Sequence, residues 1–397
     1  MTWVERSLNE LGYVSRGRSR HRPRDAEHLY GGQYPFIQTG DVKHAGLYLN
    51  DFSQTYSEAG LAQSKLWPAG TLCITIAANI AETSILGIDA CFPDSIIGFI
   101  PDSEKADARY VKYLFDAKLK LEYKQFTQGA AQDNLSQEKL LSIKFRVPQE
   151  LSEQIKIANY ISTYDDLVRN NNRRIQLIED YCRQLFNEWF TQLRFPGHEH
   201  IRVTNCVPDG WGNVPLNEIC TEIKNSVSPD KLDPDTPYIG LEHMPRRSIT
   251  LSQWDSAERV TSTKLRFSLG DILFGKIRPY FHKVGFTLCE GITSSDAIVI
   301  RPASGLLYYY CLLYLSSDFF VALASKTVKE GSKMPRADWS YLKTSKLNVP
   351  PEPLLDAFNE QVSDAIETLK TLSIQNKTLI RARDLLLPRL MNGDITV

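Results

Sequence analysis

The residues Gly270-Asp-Ile-Leu-Phe-Gly275-Lys276-Ile277 have the glycine and lysine spacing of a phosphate-binding loop. Such a loop needs Ser or Thr after the lysine to hold magnesium, and a glycine-rich backbone to cradle phosphates. Here the closing position is Ile277 and the intervening residues read as an apolar strand, so the match fails on chemistry. Asn348-Val-Pro-Pro has the letters of a loop that methylates exocyclic amines, but no aromatic follows to stack on a flipped base. It also sits in a proline turn before a helix. His198-Glu199-His200 offers two imidazoles without a nearby third ligand, and reads as a solvated loop. Pro101-Asp102 with Glu104 and Lys105 has nuclease-like residues at the wrong separation, and reads as a surface turn. No glycine-rich nucleotide fingerprint follows a strand, and no nucleophile is paired with a base. The chain is therefore expected to perform no covalent chemistry.

What remains is local positive charge. Arg16, Arg18, Arg20, Arg22 and Arg24, with His21 among them, form a run free of acids. Guanidinium groups in such a run can sit on phosphates or reach guanine in the major groove. Further along, Lys276, Arg278, His282 and Lys283 bracket Tyr280 and Phe281. Two loops are rich in side chains able to read base edges: Thr127 to Asn134, with Gln128, Gln132 and Asn134, and Lys329 to Arg336, with Lys333 and Arg336. For any single residue a solvated loop is an equally good reading. The duplication of such loops strengthens the set Arg16, Arg18, Arg20, Arg22, Gln128, Gln132, Asn134, Lys276, Arg278, Lys333 and Arg336.

Whole-chain totals bound the rest. A chain of 397 residues exceeds one ordinary core and points to two or more domains. With 46 basic and 47 acidic residues the formal charge is −1, so the chain as a whole does not attract nucleic acid and any DNA contact must come from local basic patches. The longest apolar run, Leu306 to Leu315, is too short to span a bilayer and reads as a buried helix. The opening MTWVERSLNE lacks an apolar signal core, so secretion is not expected. Seven cysteines without a C-x-x-C pair fit a reduced cytosolic compartment and no structural zinc.

The positioning elements come from an internal repeat with a period of roughly 200 residues. Trp3-x4-Leu-Asn-Glu-Leu11 answers Trp211-x4-Leu-Asn-Glu-Ile219, and Pro35-Phe-Ile37 answers Pro237-Tyr-Ile239. Gly70-Thr-Leu-Cys-Ile74 answers Gly270-Asp-Ile-Leu-Phe274, and Lys144-Phe-Arg-Val-Pro148 answers Lys346-Leu-Asn-Val-Pro350. Glu153-Gln154 and Glu360-Gln361 follow those prolines, and then a long helical pattern begins. Short apolar runs at Thr71 to Ile76, Ile96 to Ile100, Asp271 to Phe274 and Ala297 to Ile300 read as strands. Helical patterns flank them at Ala108 to Phe126 and Leu307 to Ser325, so each half reads as α+β. The loop Pro196 to Pro208 reads as a linker.

The two long helical patterns keep a 3.5-residue apolar repeat, the spacing of helices that supercoil together. The first runs Ile157, Ile161, Tyr164, Val168, Asn171, Ile175, Ile178, Cys182, Leu185, Trp189. The second runs Phe358, Val362, Ala365, Leu369, Leu372, Asn376, Leu379, Arg383, Leu386, Leu390. Connectivity makes an intramolecular pair antiparallel. Setting Asn171 opposite Asn376 places Trp189 on Phe358, Cys182 on Ala365 and Tyr164 on Arg383, where the two amides can hydrogen-bond and pin the register. The other reading is that each helix packs on its own domain or on another protein chain and the Asn match is chance. At about 1.5 Å per residue the seam would be about 50 Å long.

A duplicated α+β domain, each copy followed by a long helix, resembles the specificity subunit of type I restriction-modification systems. The likeness is carried by Pro35-Phe-Ile-Gln-Thr-Gly-Asp41, Gly270-Asp-Ile-Leu-Phe-Gly-Lys-Ile-Arg-Pro279, the Val147 to Gln154 junction, and Leu387-Pro-Arg-Leu-Met-Asn-Gly-Asp-Ile395. The second junction departs from the pattern, with extra residues before Glu360-Gln361. The resemblance implies two target recognition domains, 1–150 and 196–350, with spacer helices in 151–195 and 351–397 forming a long antiparallel two-helix coiled coil. It implies a non-catalytic reader of double-stranded DNA in the cytoplasm, without membrane contact. Its implied partners are two methyltransferase subunits, with restriction subunits as further members. The chain itself would hold no cofactor; S-adenosylmethionine, ATP and Mg would belong to the partners. Two other readings stay open at this level: an assembly scaffold that binds no DNA, and a diverged methyltransferase or nuclease.

Overall fold

The computed structural model describes residues 2–77, 79–126, 136–328 and 333–397. The chain divides into two compact units: Met1–Arg169 with Thr378–Val397, and Asn170–Lys377.

In the first unit a five-stranded sheet runs in the order Gly12–Arg16, Ile96–Pro101, Leu72–Thr75, Thr83–Leu86, Tyr48–Leu49. All neighbours are antiparallel except the last pair, which is parallel. A smaller sheet orders Gln54–Tyr56, Tyr30–Phe36, Ala90–Cys91 and Leu66–Trp67, with Phe36 parallel to Cys91. Trp3–Arg6 pairs with Phe145–Pro148, the strand that leads into the first long helix.

The second unit repeats this plan with added strands. Its larger sheet is Cys220–Ile223, Ala297–Pro302, Ile272–Gly275, Val284–Thr287, Thr250–Leu251, again with only the last pair parallel. Its second sheet is Asp255–Ser256, Pro237–Ile239, Gly291–Thr293, Lys264–Phe267, extended by Ser226–Val227. Gly212–Pro215 pairs with Lys346–Val349 before the second long helix. The duplicated motifs thus mark a duplicated topology, parallel pairs included.

The strand signals follow from two-sided burial. On Leu72–Thr75, Leu72 and Ile74 face a core shared with Tyr110, Val111 and Leu114 of the helix Ala108–Phe126, while Cys73 faces a second core with Trp67 and Phe92. On Ile272–Gly275, Ile272 and Phe274 join the helix-side core and Leu273 the other. A strand covered on both faces needs apolar residues at every position, which is why it reads as a continuous run.

The second flanking helix departs from its expected span. Leu307 to Ser325 is two helices, Tyr308–Leu315 and Asp318–Lys326. The Ser317 side chain accepts from the Phe320 N–H and caps the second, so the Ser316-Ser317 pair breaks the run. Pro196 to Pro208 is also more than a linker. Phe195, Ile201 and Val207 pack on the second unit's core, and Val203–Thr204 pairs with Val207–Pro208.

The long helices span Leu151–Phe186, continued by a π-turn at Asn187–Thr191, and Glu352–Asn392. Each unit's core takes a segment of both. Ile157, Ala158 and Ile161 join Leu387, Leu390 and Met391 in the first unit. Cys182, Phe186 and Trp189 join Phe358, Val362 and Ile366 in the second. The helices therefore run antiparallel, as their connectivity requires.

The register matches the heptad expectation at one end and drifts from it by one position along the seam. Trp189 meets Phe358, with ring centroids 5.6 Å apart. Asn376 and Asn171 are both buried, but the Asn376 amide donates to Asn172 at 2.8 Å, not to Asn171. Arg383 pairs with Asp165 rather than packing on Tyr164. Ile366, fully buried, takes the core position assigned to the half-buried Ala365. An α-helix turns once per 3.6 residues, so a 3.5-residue pattern rotates about 20° per heptad unless the helices supercoil fully. That rotation brings the next residue into the seam.

The departure at the second junction also has a structural counterpart. Gln154 is buried and its amide donates to the carbonyls of Lys105 and Pro148 at 3.0 and 3.1 Å, tying the helix start to its globular domain. Gln361 is exposed; Asn359 makes the corresponding tie, donating to the Leu306 carbonyl at 2.9 Å. The extra residues before Glu360-Gln361 shift this role to Asn359.

Candidate DNA interface

In the first unit the arginine run begins on the edge strand Gly12–Arg16. Gly17 lets it continue against the sheet: a Cβ there would sit 2.3 Å from the Phe92 carbonyl oxygen. The Gly17 and Arg18 amides donate to the carbonyls of Ile96 and Phe92 at 2.9 and 3.0 Å. The Arg20 and His21 amides both donate to Gln63 Oε1, at 2.6 and 3.0 Å. The backbone is thus pinned while all the arginines are exposed. Arg16, Arg18 and Arg20 have no ion pair or side-chain hydrogen bond among the described residues. Arg22 folds back onto the Ser19 and His21 carbonyls at 2.9 and 2.8 Å, and Arg24 pairs with Asp94 at 2.9 Å. The run therefore splits into three free guanidinium groups and two committed ones.

Beside it stands a group that the residue pattern does not mark. Lys65 Nζ lies 3.7 Å from the Trp67 ring centroid and 4.5 Å from that of Tyr13, and donates to the Tyr13 hydroxyl at 3.3 Å. The Tyr13 phenol is held below its ordinary range by a hydrogen bond from Ser15 and by Lys65. Lys65 and Tyr13 are far apart in sequence, and no local motif joins them. Gln128, Gln132 and Asn134 lie outside the described residues.

In the second unit the structure brings the remaining four candidates together. Ile277 bridges to Arg336, the Arg278 amide donates to the Pro335 carbonyl at 2.8 Å, and the Ala337 amide donates to the Lys276 carbonyl at 2.8 Å. The segments Lys276 to Arg278 and Lys333 to Arg336 thus run side by side. Arg278, Lys333 and Arg336 are exposed and Lys276 is half-buried. Arg336 is committed to Asp296, with Nε and Nη2 each 3.2 Å from Oδ1. Arg246, not marked by the sequence pattern, lies over the Phe281 ring at 4.0 Å. His282 turns inward: it is buried, and its Nε2 contacts the Ser316 carbonyl at 2.6 Å. Burial holds its imidazole below the ordinary range, which removes it from the charged set.

The motifs set aside on chemical grounds have structural partners. Gly270 to Gly275 contains the buried strand Ile272–Gly275. The Asn348 side chain accepts from Asn213 at 2.8 Å and donates to the Cys206 carbonyl at 2.9 Å, which commits it to the fold. His198 Nδ1 contacts the Phe195 carbonyl at 2.8 Å. Asp102 pairs with Lys105 at 2.6 Å in a turn. Among the described residues, no cluster of three or more His, Cys, Asp or Glu is placed to hold a metal.

Comparison with known proteins places this geometry. Residues 1–180 match the family model of the type I restriction modification DNA specificity domain. The type I restriction enzyme MjaIX specificity subunit of Methanocaldococcus jannaschii is 22% identical, over 100% of this chain and 94% of that protein. The EcoDI specificity subunit of Escherichia coli is 21% identical, over 99% of this chain and 89% of that protein. The crystal structure of the type I restriction-modification S subunit from M. genitalium aligns with a TM-score of 0.57 at 14% identity, covering 98% of this chain and 96% of that one, and so shares the fold. The duplicated α+β units, the antiparallel helices and these full-length matches lead to one conclusion: residues 1–180 carry the DNA specificity domain of type I restriction-modification systems, and the whole chain is similar to the specificity subunits of those systems.

Proposed function

We propose that each globular unit reads one half of a split double-stranded DNA target, and that the helices set the spacer between the halves. The observation that carries this is the duplicated strand plan, each copy presenting exposed arginines that have no ion pair among the described residues: Arg16, Arg18 and Arg20 in one, Arg278 and Arg246 in the other. Two readers of one plan with different loop chemistry suit two half-sites of different sequence.

The helices carry exposed apolar side chains outside the seam. Tyr160 and Leu167 lie on the first unit's segment, and Leu177, Tyr181 and Ile374 on the second's. We assign these faces to the docking of two methyltransferase subunits, with restriction subunits as further partners. S-adenosylmethionine, ATP and Mg would be held by those partners, and this chain would hold none. No helix among the described residues is long and apolar enough to cross a membrane, and action on DNA implies the cytoplasm.

Binding of duplex DNA by the complex with its methyltransferase tests this reading. Sequence-specific binding that weakens steeply with salt is expected. Titration of the isolated chain with S-adenosylmethionine should give no binding. A scaffold would bind no DNA specifically, and a diverged methyltransferase would bind the cofactor alone.

A further inference from the structure

Two guanidinium groups of the second unit converge on one aromatic ring. Arg246 Cζ lies 4.0 Å and Arg278 Cζ 5.8 Å from the Phe281 ring centroid, so the two carbons are less than about 10 Å apart. Both arginines are exposed, and neither has an ion pair among the described residues. The nearby arginines differ: Arg247 is neutralised by Asp318 at 3.0 Å and Arg336 by Asp296 at 3.2 Å. Two exposed cations beside one ring attract an anion or an electron-rich edge to the space they share. Phe281 holds the pair together by cation–π attraction.

The two arginines are held differently. Arg278 is in the left-handed region, with φ 48°, a conformation that non-glycine residues adopt rarely and only where the surroundings enforce it. Its amide donates to the Pro335 carbonyl and its own carbonyl accepts from the Phe281 amide, both at 2.8 Å. Pro279 follows it, and the Ile277–Arg336 bridge precedes it. Arg278 is therefore a side chain on a locked backbone. Arg246 follows Pro245 in an exposed turn and stacks on Phe281; the next amide, of Arg247, donates to the His282 carbonyl at 2.9 Å, but the Arg246 φ is not in the left-handed region. A phosphate contact tolerates loose placement, because charge acts without fine geometry. Reading a base needs a fixed origin, since the guanidinium fork must meet guanine O6 and N7 together.

We propose that Arg278 is the specificity-determining residue of the second unit, reading a guanine edge in the major groove, while Arg246 holds an adjacent phosphate. This deepens the two-reader function and rests on it. The test uses the full chain assembled with its methyltransferase, and duplexes in which each base pair of the target is changed in turn. Arg278→Ala should weaken cognate binding about tenfold to a hundredfold and abolish preference at one G·C pair of one half-site, leaving the other half unchanged. Arg278→Lys keeps the charge and loses the fork, so preference at that pair should fall although the salt dependence stays as in the wild type. Arg246→Ala should weaken binding to all duplexes alike and lower the salt slope by about one unit. The proposal is overturned if Arg278→Lys retains full base preference, or if Arg278→Ala behaves as Arg246→Ala is expected to. Failure of the wild-type complex to discriminate any duplex would instead overturn the two-reader function itself.

Discussion

Arg383 of the second long helix donates to Asp165 of the first, and Tyr113 of the helix Ala108–Phe126 donates to the same carboxylate at 2.6 Å. Burial and the Asp165 charge both push the Tyr113 phenol up, so it remains a donor. One carboxylate thus ties together both spacer helices and the first unit's globular domain. Asp165 is largely buried, at 11% side-chain exposure, against 28% for Arg383.

Removing one member strands the others. Asp165→Ala should destabilise the first unit by about 1–3 kcal/mol, because the buried Tyr113 hydroxyl loses its acceptor and the half-buried Arg383 keeps only Asp384. A double-mutant cycle with Arg383→Ala should give a coupling of about 1–3 kcal/mol by denaturant unfolding. Strict additivity of the two would show that the pair does not hold the helices.

A second carboxylate anchors the other unit. Glu179 is buried, and its Oε1 accepts from Ser248 Oγ at 2.7 Å, Thr250 Oγ1 at 2.9 Å and the Ile249 amide at 3.1 Å. Burial raises its pKa above the ordinary value, against the lowering pull of those donors and of Arg183. A carboxyl raised on folding favours the folded state most below its unfolded pKa, and that contribution is lost as pH rises through the folded value. Glu179→Gln should therefore flatten the fall in stability as pH rises from the ordinary carboxylate range. Glu179→Ala, which leaves three donors unmet, should cost about 2–4 kcal/mol at pH 7. Urea midpoints measured across pH would check both, and an unchanged pH profile in Glu179→Gln would count against the buried charge.

The split within the arginine run predicts unequal contributions to DNA affinity. Replacing Arg16, Arg18 and Arg20 by Ala together should lower the logarithmic salt slope of DNA binding by about three units, one phosphate each. Arg24→Ala should change it little, since Asp94 already neutralises that side chain. Fluorescence anisotropy at several salt concentrations measures both, and equal effects per arginine would refute the distinction.

Much of the fold was legible because its signals are local or repeated. Continuous apolar strands follow from two-sided burial; the heptads mark the helices and their register to within one residue, and connectivity gives their direction. The misses are long-range. Glu179 lies on a helix surface like any solvated acid, and only Ser248 to Thr250, about 70 residues on, bury it. The strands of the smaller sheets are mostly two to four residues long, too short for a period to show. The interface was legible in part. Clustered cations marked Arg16 to Arg22 and Lys276 to Arg278. Whether an acid elsewhere neutralises them, as Asp94 and Asp296 do for Arg24 and Arg336, is decided only by folding. Arg246 and Lys65 were missed because Phe281 and Tyr13, the partners that place them, are remote in sequence.

The central claim is that two independent readers share one chain. It is tested most directly by sequencing methylated positions in cells that express the chain with its methyltransferase, before and after residues 1–150 are exchanged for those of a relative. A split methylation motif is expected, in which the exchange alters one half and leaves the other half intact. An unsplit motif, or a change in both halves, would contradict it.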